Sequence, residues 1–366
     1  MKDLQVEMTR IINSNYVRYD RLNEIIPMST LVQSSSDTTM FYIDLNSVLK
    51  PIYQENVLID DYEAITSCII NMCAHYREYF WTRYRVNAVF FIVYSNNTPS
   101  FNTLMYPDYN NNMKFLLSTN KLKYSIVENN FKLLSLLSTY LPDIFFINRE
   151  FETGVIIQDL IDIYDTDSRY THIVLTKDVY NYQLVGNNNK NVVILKPSKK
   201  NGMDESIIID RNNVINIYLN KRKSSYNLSI NINPLLLSLI MSMSSLSERS
   251  IKSNLNISKT LKYIEEMIKN NIIINDYNSY TMNIWEYICK YEKDLSPIIL
   301  SNRFKCIDIY SQVLVYRTLN QSYPEIVNMS DPNSLKMIND RYFIKNPLDL
   351  DRLWGDLNWS IIIELR

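Results

Sequence analysis

Residues 171 to 185 read THIVLTKDVYNYQLV, and this stretch decides the fold. Ile173, Val174 and Leu175 form an apolar, largely β-branched run that ends in Thr176-Lys177-Asp178. A short apolar run closed by an acid reads as a buried strand that delivers a side chain to one edge of a sheet. In open α/β sheets that edge is where ligands bind. Asp178 is therefore the first candidate functional residue.

Working outward, the same pattern recurs. Phe41-Tyr42-Ile43-Asp44 is a strand ending in an acid, and Ala88 to Tyr94 (AVFFIVY) is a second buried strand. Ile144 to Ile147 is a third, and Val192 to Leu195 follows the opening stretch. Helical spacing connects them: Ile65, Ile69, Ile70 and Tyr76, then Leu133 to Tyr140 stopped by Pro142, then Val155 to Ile163. Strands alternating with helices predict a mainly parallel sheet flanked by helices, an α/β fold. After Pro234 the pattern turns helical at Leu235 to Met243, Lys259 to Ile268 and Trp285 to Tyr291. The expected division is an N-terminal helical extension over 1–38, an α/β domain over 39–230 and a helical region over 231–270. A C-terminal extension, 271–366, receives no fold assignment. The Asn-rich segment from Tyr106 to Asn120 reads as a loop or arch.

Composition excludes several classes. The 366 residues carry 38 Lys and Arg against 39 Asp and Glu, a formal charge of −1, which is not that of a nucleic-acid-coating protein. With only 4 Gly there is no GxGxxG or Walker-type loop to cradle a phosphate. The four cysteines, Cys68, Cys73, Cys289 and Cys306, form no CxxC pair, and His75 and His172 fit no metal-ligand spacing, so free thiols in a reducing compartment are expected. The first residues lack a signal-peptide apolar core and no run suits a membrane span, so a cytoplasmic protein is expected when made. The wealth of Asn, Ile, Lys and Tyr is the bias of an AT-rich genome, which a virus or phage would fit.

The order of these landmarks resembles the 5′-nuclease family, the flap-endonuclease-like enzymes and 5′-exonuclease domains built on a PIN-like α/β fold. The resemblance spans roughly residues 40 to 270. It rests on Ile43-Asp44-Leu45-Asn46 at the end of the first strand and Thr98-Pro99-Ser100-Phe101 after the second. Phe151-Glu152-Thr153-Gly154-Val155 stands in place of the family's Tyr-Glu-Ala-Asp-Asp helix start. Thr176-Lys177-Asp178-Val179-Tyr180 through Gln183-Leu184 stands in place of Thr-Ala-Asp-Lys-Asp and a segment ending Gln-Leu. Lys259-Thr260 fits the second helix of the family's helix-hairpin-helix, which the resemblance implies for the helical region over 231–270.

The resemblance implies two divalent cations, Mg²⁺ or Mn²⁺, held by a cluster of carboxylates, the metals activating a water and stabilising the departing oxygen in phosphodiester hydrolysis. Asp44, Glu152, Asp178 and Glu248 occupy family acid positions, the first three being candidates for one weakly held metal. The remaining positions read Ser95, Gly154-Val155, Tyr180 and Ser245. A valine and a tyrosine supply no carboxylate to a hard cation. We read the surviving acids as remnants, Asp44 capping a following helix. The hairpin's glycines read Leu255 and Ile257, which block close approach to phosphates. Lys199, Lys200, Lys221, Arg222, Lys223 and Lys259 are candidate nucleic-acid contacts, or an ordinary solvated surface. The expectation is an inactive nuclease fold without cofactor, recast as a structural or interaction component that assembles with other proteins, such as a phage virion ring or connector. The alternative is a metal-dependent 5′-3′ exonuclease or flap endonuclease with a reduced site.

Overall fold

A computed structural model describes residues 38–47, 62–95, 121–141, 143–149, 151–186, 190–200, 203–222, 226, 229–244, 255–272, 282–292, 296–319, 332–345 and 347–354. The expected N-terminal extension, the Asn-rich loop, Thr98-Pro99-Ser100-Phe101, Ser245, Glu248 and Lys223 lie outside these residues.

Six strands form one sheet. They are β1 (Thr38–Asp44), β2 (Asn87–Ser95), β3 (Ile144–Arg149), β4 (Thr171–Leu175), β5 (Asn191–Lys200) and β6 (Met203–Ile209). The order is β3-β2-β1-β4-β5-β6, parallel throughout except for the β5–β6 hairpin. β1 is buried along its whole length and β2 nearly so, which is why their sequences are continuous apolar runs rather than alternating ones. The two faces still separate. Met40 and Tyr42 belong to one core and Phe41 and Ile43 to the other.

Helices cover both faces. α1 (Tyr62–Tyr84) and α2 (Lys121–Tyr140) lie on the Phe41 side. α3 (Thr153–Tyr164), α4 (Val214–Lys221), α5 (Leu237–Met243) and α6 (Ile257–Lys269) lie on the Tyr42 side. The segment after β4 is a buried 3-10 helix, Val179–Gly186. The edge strand β6 escaped the sequence reading, because MDESIII interrupts its apolar character with three polar residues. As a result Lys199 and Lys200 stand in a β-hairpin opposite Asp204 and Met203, rather than in a loop.

The stretch without a sequence assignment supplies five helices among the described residues: α7 (Met282–Tyr291), α8 (Pro297–Ile307), α9 (Ile309–Leu319), α10 (Pro332–Tyr342) and α11 (Leu350–Trp354). They do not stand apart. Ile284, Trp285, Phe304, Ile309 and Tyr316 join the Tyr42-side core, while Leu335, Ile338, Phe343 and Leu353 join the Phe41-side core. The chain thus returns to cover both faces of its own sheet.

Two buried polar contacts lock the register. Arg77 of α1 donates to Asp143, just before β3, at 2.8 Å, with both side chains almost fully buried. His172 of β4 sits between Asp165, 2.9 Å from Nε2, and the Tyr42 hydroxyl, 3.1 Å from Nδ1. Burial pushes the His172 imidazole below its ordinary value. The four cysteines are free thiols. Removing one member of a buried ion pair strands the other charge, so Asp143→Ala is expected to cost about 3–5 kcal/mol. Urea denaturation reads this directly, and an Arg77→Met, Asp143→Leu double substitution is expected to recover much of the loss.

Candidate functional site

The strand order places the site. From β1 the chain runs outward through β2 and β3, then returns across the sheet to β4 on the other side of β1. The order reverses between β1 and β4, and the crevice beyond their carboxyl ends is the position where such sheets bind ligands. Asp44 ends β1, and Thr176 and Asp178 follow β4.

Asp44 is 1% exposed and its carboxylate is surrounded by donors. Oδ2 accepts from Ser47 Oγ at 2.6 Å, Thr176 Oγ1 at 2.7 Å and Asn181 Nδ2 at 3.1 Å. Oδ1 accepts from the Ser47 amide at 3.3 Å. The bonds to Ser47, three residues on, are those of a helix N-cap, and residues 45–47 are helical. Burial pushes the Asp44 carboxyl up to about 6, the nearby Asp178 carboxylate adding to the rise and the Ser47 and Thr176 hydrogen bonds opposing it.

The other sequence candidates separate. Asp178 receives the Tyr180 amide on Oδ1 at 3.0 Å and gives its own amide to Thr176 Oγ1 at 3.0 Å, which builds the turn into the 3-10 helix. Glu152 is the N-cap residue of α3 without a side-chain cap bond. At the end of β2, Ser95 exchanges two backbone hydrogen bonds with the Asn46 carboxamide, at 3.0 and 3.3 Å. Among the described residues, no group of three or more His, Cys, Asp and Glu side chains is placed to hold a metal ion. The divalent cations implied by the resemblance are poorly served at Asp44. Hard cations need free oxygen lone pairs. Oδ2 already faces three donors, and only Oδ1, which accepts the Ser47 amide at 3.3 Å, has a lone pair to offer.

Asn181, absent from the sequence candidates, is the centre of this arrangement. It is fully buried, and Nδ2 lies 3.0 Å from Thr176 Oγ1, 3.1 Å from Asp44 Oδ2 and 3.5 Å from Thr153 Oγ1. Gly154 leaves room for it. A Cβ at position 154 would collide with Asn181 Oδ1 and meet Ile309 Cδ1 at 2.9 Å and Tyr180 Cε1 at 3.3 Å. Where the resemblance expects an acid, the side chains of Asn181, Ile309 and Tyr180 fill the space beside a bare backbone.

Ile309 begins α9, which runs along α3 and packs on the 3-10 helix that follows β4. Gln183 Nε2 donates to the Ile307 carbonyl at 3.0 Å, and Gln312 Nε2 donates to the Tyr180 hydroxyl at 2.9 Å. Tyr310 donates to the Gln183 carbonyl at 3.0 Å. Phe151 and Tyr316 meet edge to face, with ring centroids 4.9 Å apart. Arg317 binds Asp159 and Asp162 on α3. The Gln183 and Tyr180 positions of the family landmark are thus employed in holding the C-terminal helices.

The basic candidates divide too. Lys259, in the first turn of α6 behind the Asn256 cap, pairs with Glu292, which also accepts from Tyr263 at 2.7 Å. Leu255 is buried and bridges to Ser244 rather than exposing a backbone turn. Lys221 ends α4 near enough to Lys196 to help lower the latter's pKa, after burial, and Arg222 lies 5.4 Å from the Tyr218 ring centroid. No helix among the described residues is long and apolar enough to cross a membrane.

No protein-family model matches the chain, and no curated protein does. Solved structures similar to it include nucleases. A bacteriophage T5 flap endonuclease in a pseudo-enzyme–product complex with DNA and metal ions is 10% identical over 89% of this chain and 98% of its own, with a TM-score of 0.48. A T5 5′-exonuclease with bound zinc is 9% identical over 90% and 99%, TM-score 0.49. The catalytic core of Rad2 with a DNA substrate is 15% identical over 93% and 95%, TM-score 0.40. At these identities and scores the likeness carries no argument about activity.

Gly154→Ala is expected to destabilise the protein by about 1–3 kcal/mol through overpacking against Asn181 and Ile309, visible as a lowered thermal midpoint. The Asp44 carboxyl has a folded pKa above its unfolded one, so the folded state holds the proton more tightly. Its stabilising contribution is complete below about pH 4 and disappears as pH rises through about 6. The stability of the native protein relative to Asp44→Asn is therefore expected to fall by about 2 kcal/mol between pH 4 and pH 7 in urea titrations.

Proposed function

We propose that this chain is a 5′-nuclease-like fold that has lost catalysis and acts as a structural and interaction component, a phage virion ring or connector being the concrete form. The observation that carries the reading is the enclosure of Asp44, 1% exposed with Ser47, Thr176 and Asn181 donating to Oδ2, while α9 packs on the neighbouring segments, Ile309 by Gly154 and Gln312 on Tyr180. A working phosphodiesterase needs the crevice open to metal, water and a phosphate.

The same C-terminal helices supply what an interaction protein needs. Of the seven exposed large hydrophobic residues among those described, Tyr291, Ile298, Ile299, Leu314, Met337 and Ile344 lie beyond residue 290, and Ile163 is the seventh. Single exposed apolar residues are ordinary, but Tyr291, Ile298, Ile299 and Leu314 all belong to the helices on the Tyr42 side, and that grouping supports assembly contacts there. Under this reading Lys221 and Arg222 are surface cations whose contribution to DNA affinity is weak and salt-dependent.

One observation favours the alternative, a metal-dependent 5′-3′ exonuclease or flap endonuclease with a reduced site: Asp178 lies close enough to Asp44 to raise its pKa. Incubation with a 5′-flap substrate and Mg²⁺ or Mn²⁺ decides between them. No cleavage above that of Asp178→Ala is expected; metal-dependent cleavage abolished by that substitution would overturn the proposal. In light scattering the chain is expected to exceed its 43.3 kDa monomer mass, alone or with its structural neighbours. Ile298→Glu with Leu314→Glu is expected to return it to the monomer without lowering the thermal midpoint, since both side chains are more than half exposed.

A further inference from the structure

We infer that the Asn181 carboxamide is an internal replacement for a cation: its Nδ2, poised between Asp44 Oδ2, Thr176 Oγ1 and Thr153 Oγ1, does by hydrogen bonding what a divalent ion would do by charge. The inference rests on the reading of the crevice as closed, and goes beyond it by naming the residue that makes the closure stable without metal.

The geometry carries it. A buried carboxylate is costly unless neutralised or hydrogen-bonded. Asp44 is buried and has Asp178 nearby, a combination that a cation would relieve. Instead, Asn181 presents the positive end of an amide dipole at 3.1 Å from Asp44 Oδ2. The other atoms facing Nδ2 are hydroxyl oxygens of Thr176 and Thr153. Every acceptor around Nδ2 is thus a hard oxygen, the donor class that suits Mg²⁺ or Mn²⁺. Asparagine and aspartate have nearly the same shape, so Asn181→Asp keeps the packing against Gly154 and Ile309 while turning two donor hydrogens into acceptor lone pairs. A second carboxylate about 3 Å from Asp44 repels it, and a cation between them removes the repulsion.

The test is thermal denaturation of the full chain near pH 7.5, with the native protein, Asn181→Asp and Asn181→Leu, each in chelator and in Mn²⁺ alone. In chelator, Asn181→Asp is expected to melt roughly 5–10 °C below the native protein. Mn²⁺ is expected to recover most of that loss along a saturating curve, while leaving the native protein and Asn181→Leu where they were. Lowering the pH below about 6 is expected to recover it too, since one shared proton does the same work. If Asn181→Asp is insoluble, its refolding yield with Mn²⁺ against chelator gives the same reading. A variant that Mn²⁺ does not rescue overturns the inference, as does a native protein or Asn181→Leu that gains as much from Mn²⁺. This outcome is separable from that of the functional proposal. Flap cleavage by the native protein would end that proposal whatever Asn181→Asp does, and an unrescued Asn181→Asp would leave a non-cleaving native protein unexplained at this residue alone.

Discussion

The buried Asp44 carboxylate is the constraint around which the site is arranged. A carboxylate at the end of a fully buried central strand must be protonated, paired or hydrogen-bonded. Here hydrogen bonding dominates. Ser47 comes from the helix that starts after β1, Thr176 from the end of β4 and Asn181 from the 3-10 helix. One side chain therefore ties three segments together at the point where the strand order reverses. The cost remains visible in its raised pKa. An apolar residue of similar size would be easier to bury at this position.

The closure propagates outward. Because Asn181 presses on α3, position 154 has no room for a Cβ. The bare backbone there lets Ile309 approach, and α9 then fastens itself to the 3-10 helix through Gln183, Tyr180 and Gln312 and to α3 through Arg317. A second place shows the same displacement. Lys259, at the helix start where the resemblance expects contact with a phosphate backbone, is bound by Glu292 just after α7. At the first position the C-terminal helices pack on landmarks where the resemblance expects metal-binding acids, and at the second they hold a candidate nucleic-acid contact.

Much of the fold was legible in the sequence. Central parallel strands are buried on both faces, so β1, β2 and β4 announce themselves as continuous apolar runs. The helices between them follow from apolar spacing. β6 was hidden because an edge strand tolerates polar residues, and MDESIII carries three. Of the C-terminal helices α7 was legible at Trp285 to Tyr291. α9 buries Ile309, Val313 and Tyr316, but the exposed Leu314 and half-buried Val315 beside them blur its apolar stripe. In the site, the acids at 44, 152 and 178 were visible by type, and the helix-capping role of Asp44 by its position. Asn181 was not. One Asn among many in this chain carries no signal until the structure sets its amide against a buried carboxylate. The only trace in the sequence was Gly154, a glycine at a helix start in a chain with three others.

The central claim is that the crevice at Asp44 is held by hydrogen bonds and not by a cation. Paramagnetic broadening of backbone amide resonances by Mn²⁺ tests it at the atoms concerned. The account predicts that the amides of Ser47, Lys177, Asp178 and Asn181 broaden no more than those of equally buried residues elsewhere in the sheet. Selective, saturable broadening of these four, lost in Asp44→Asn, would contradict it.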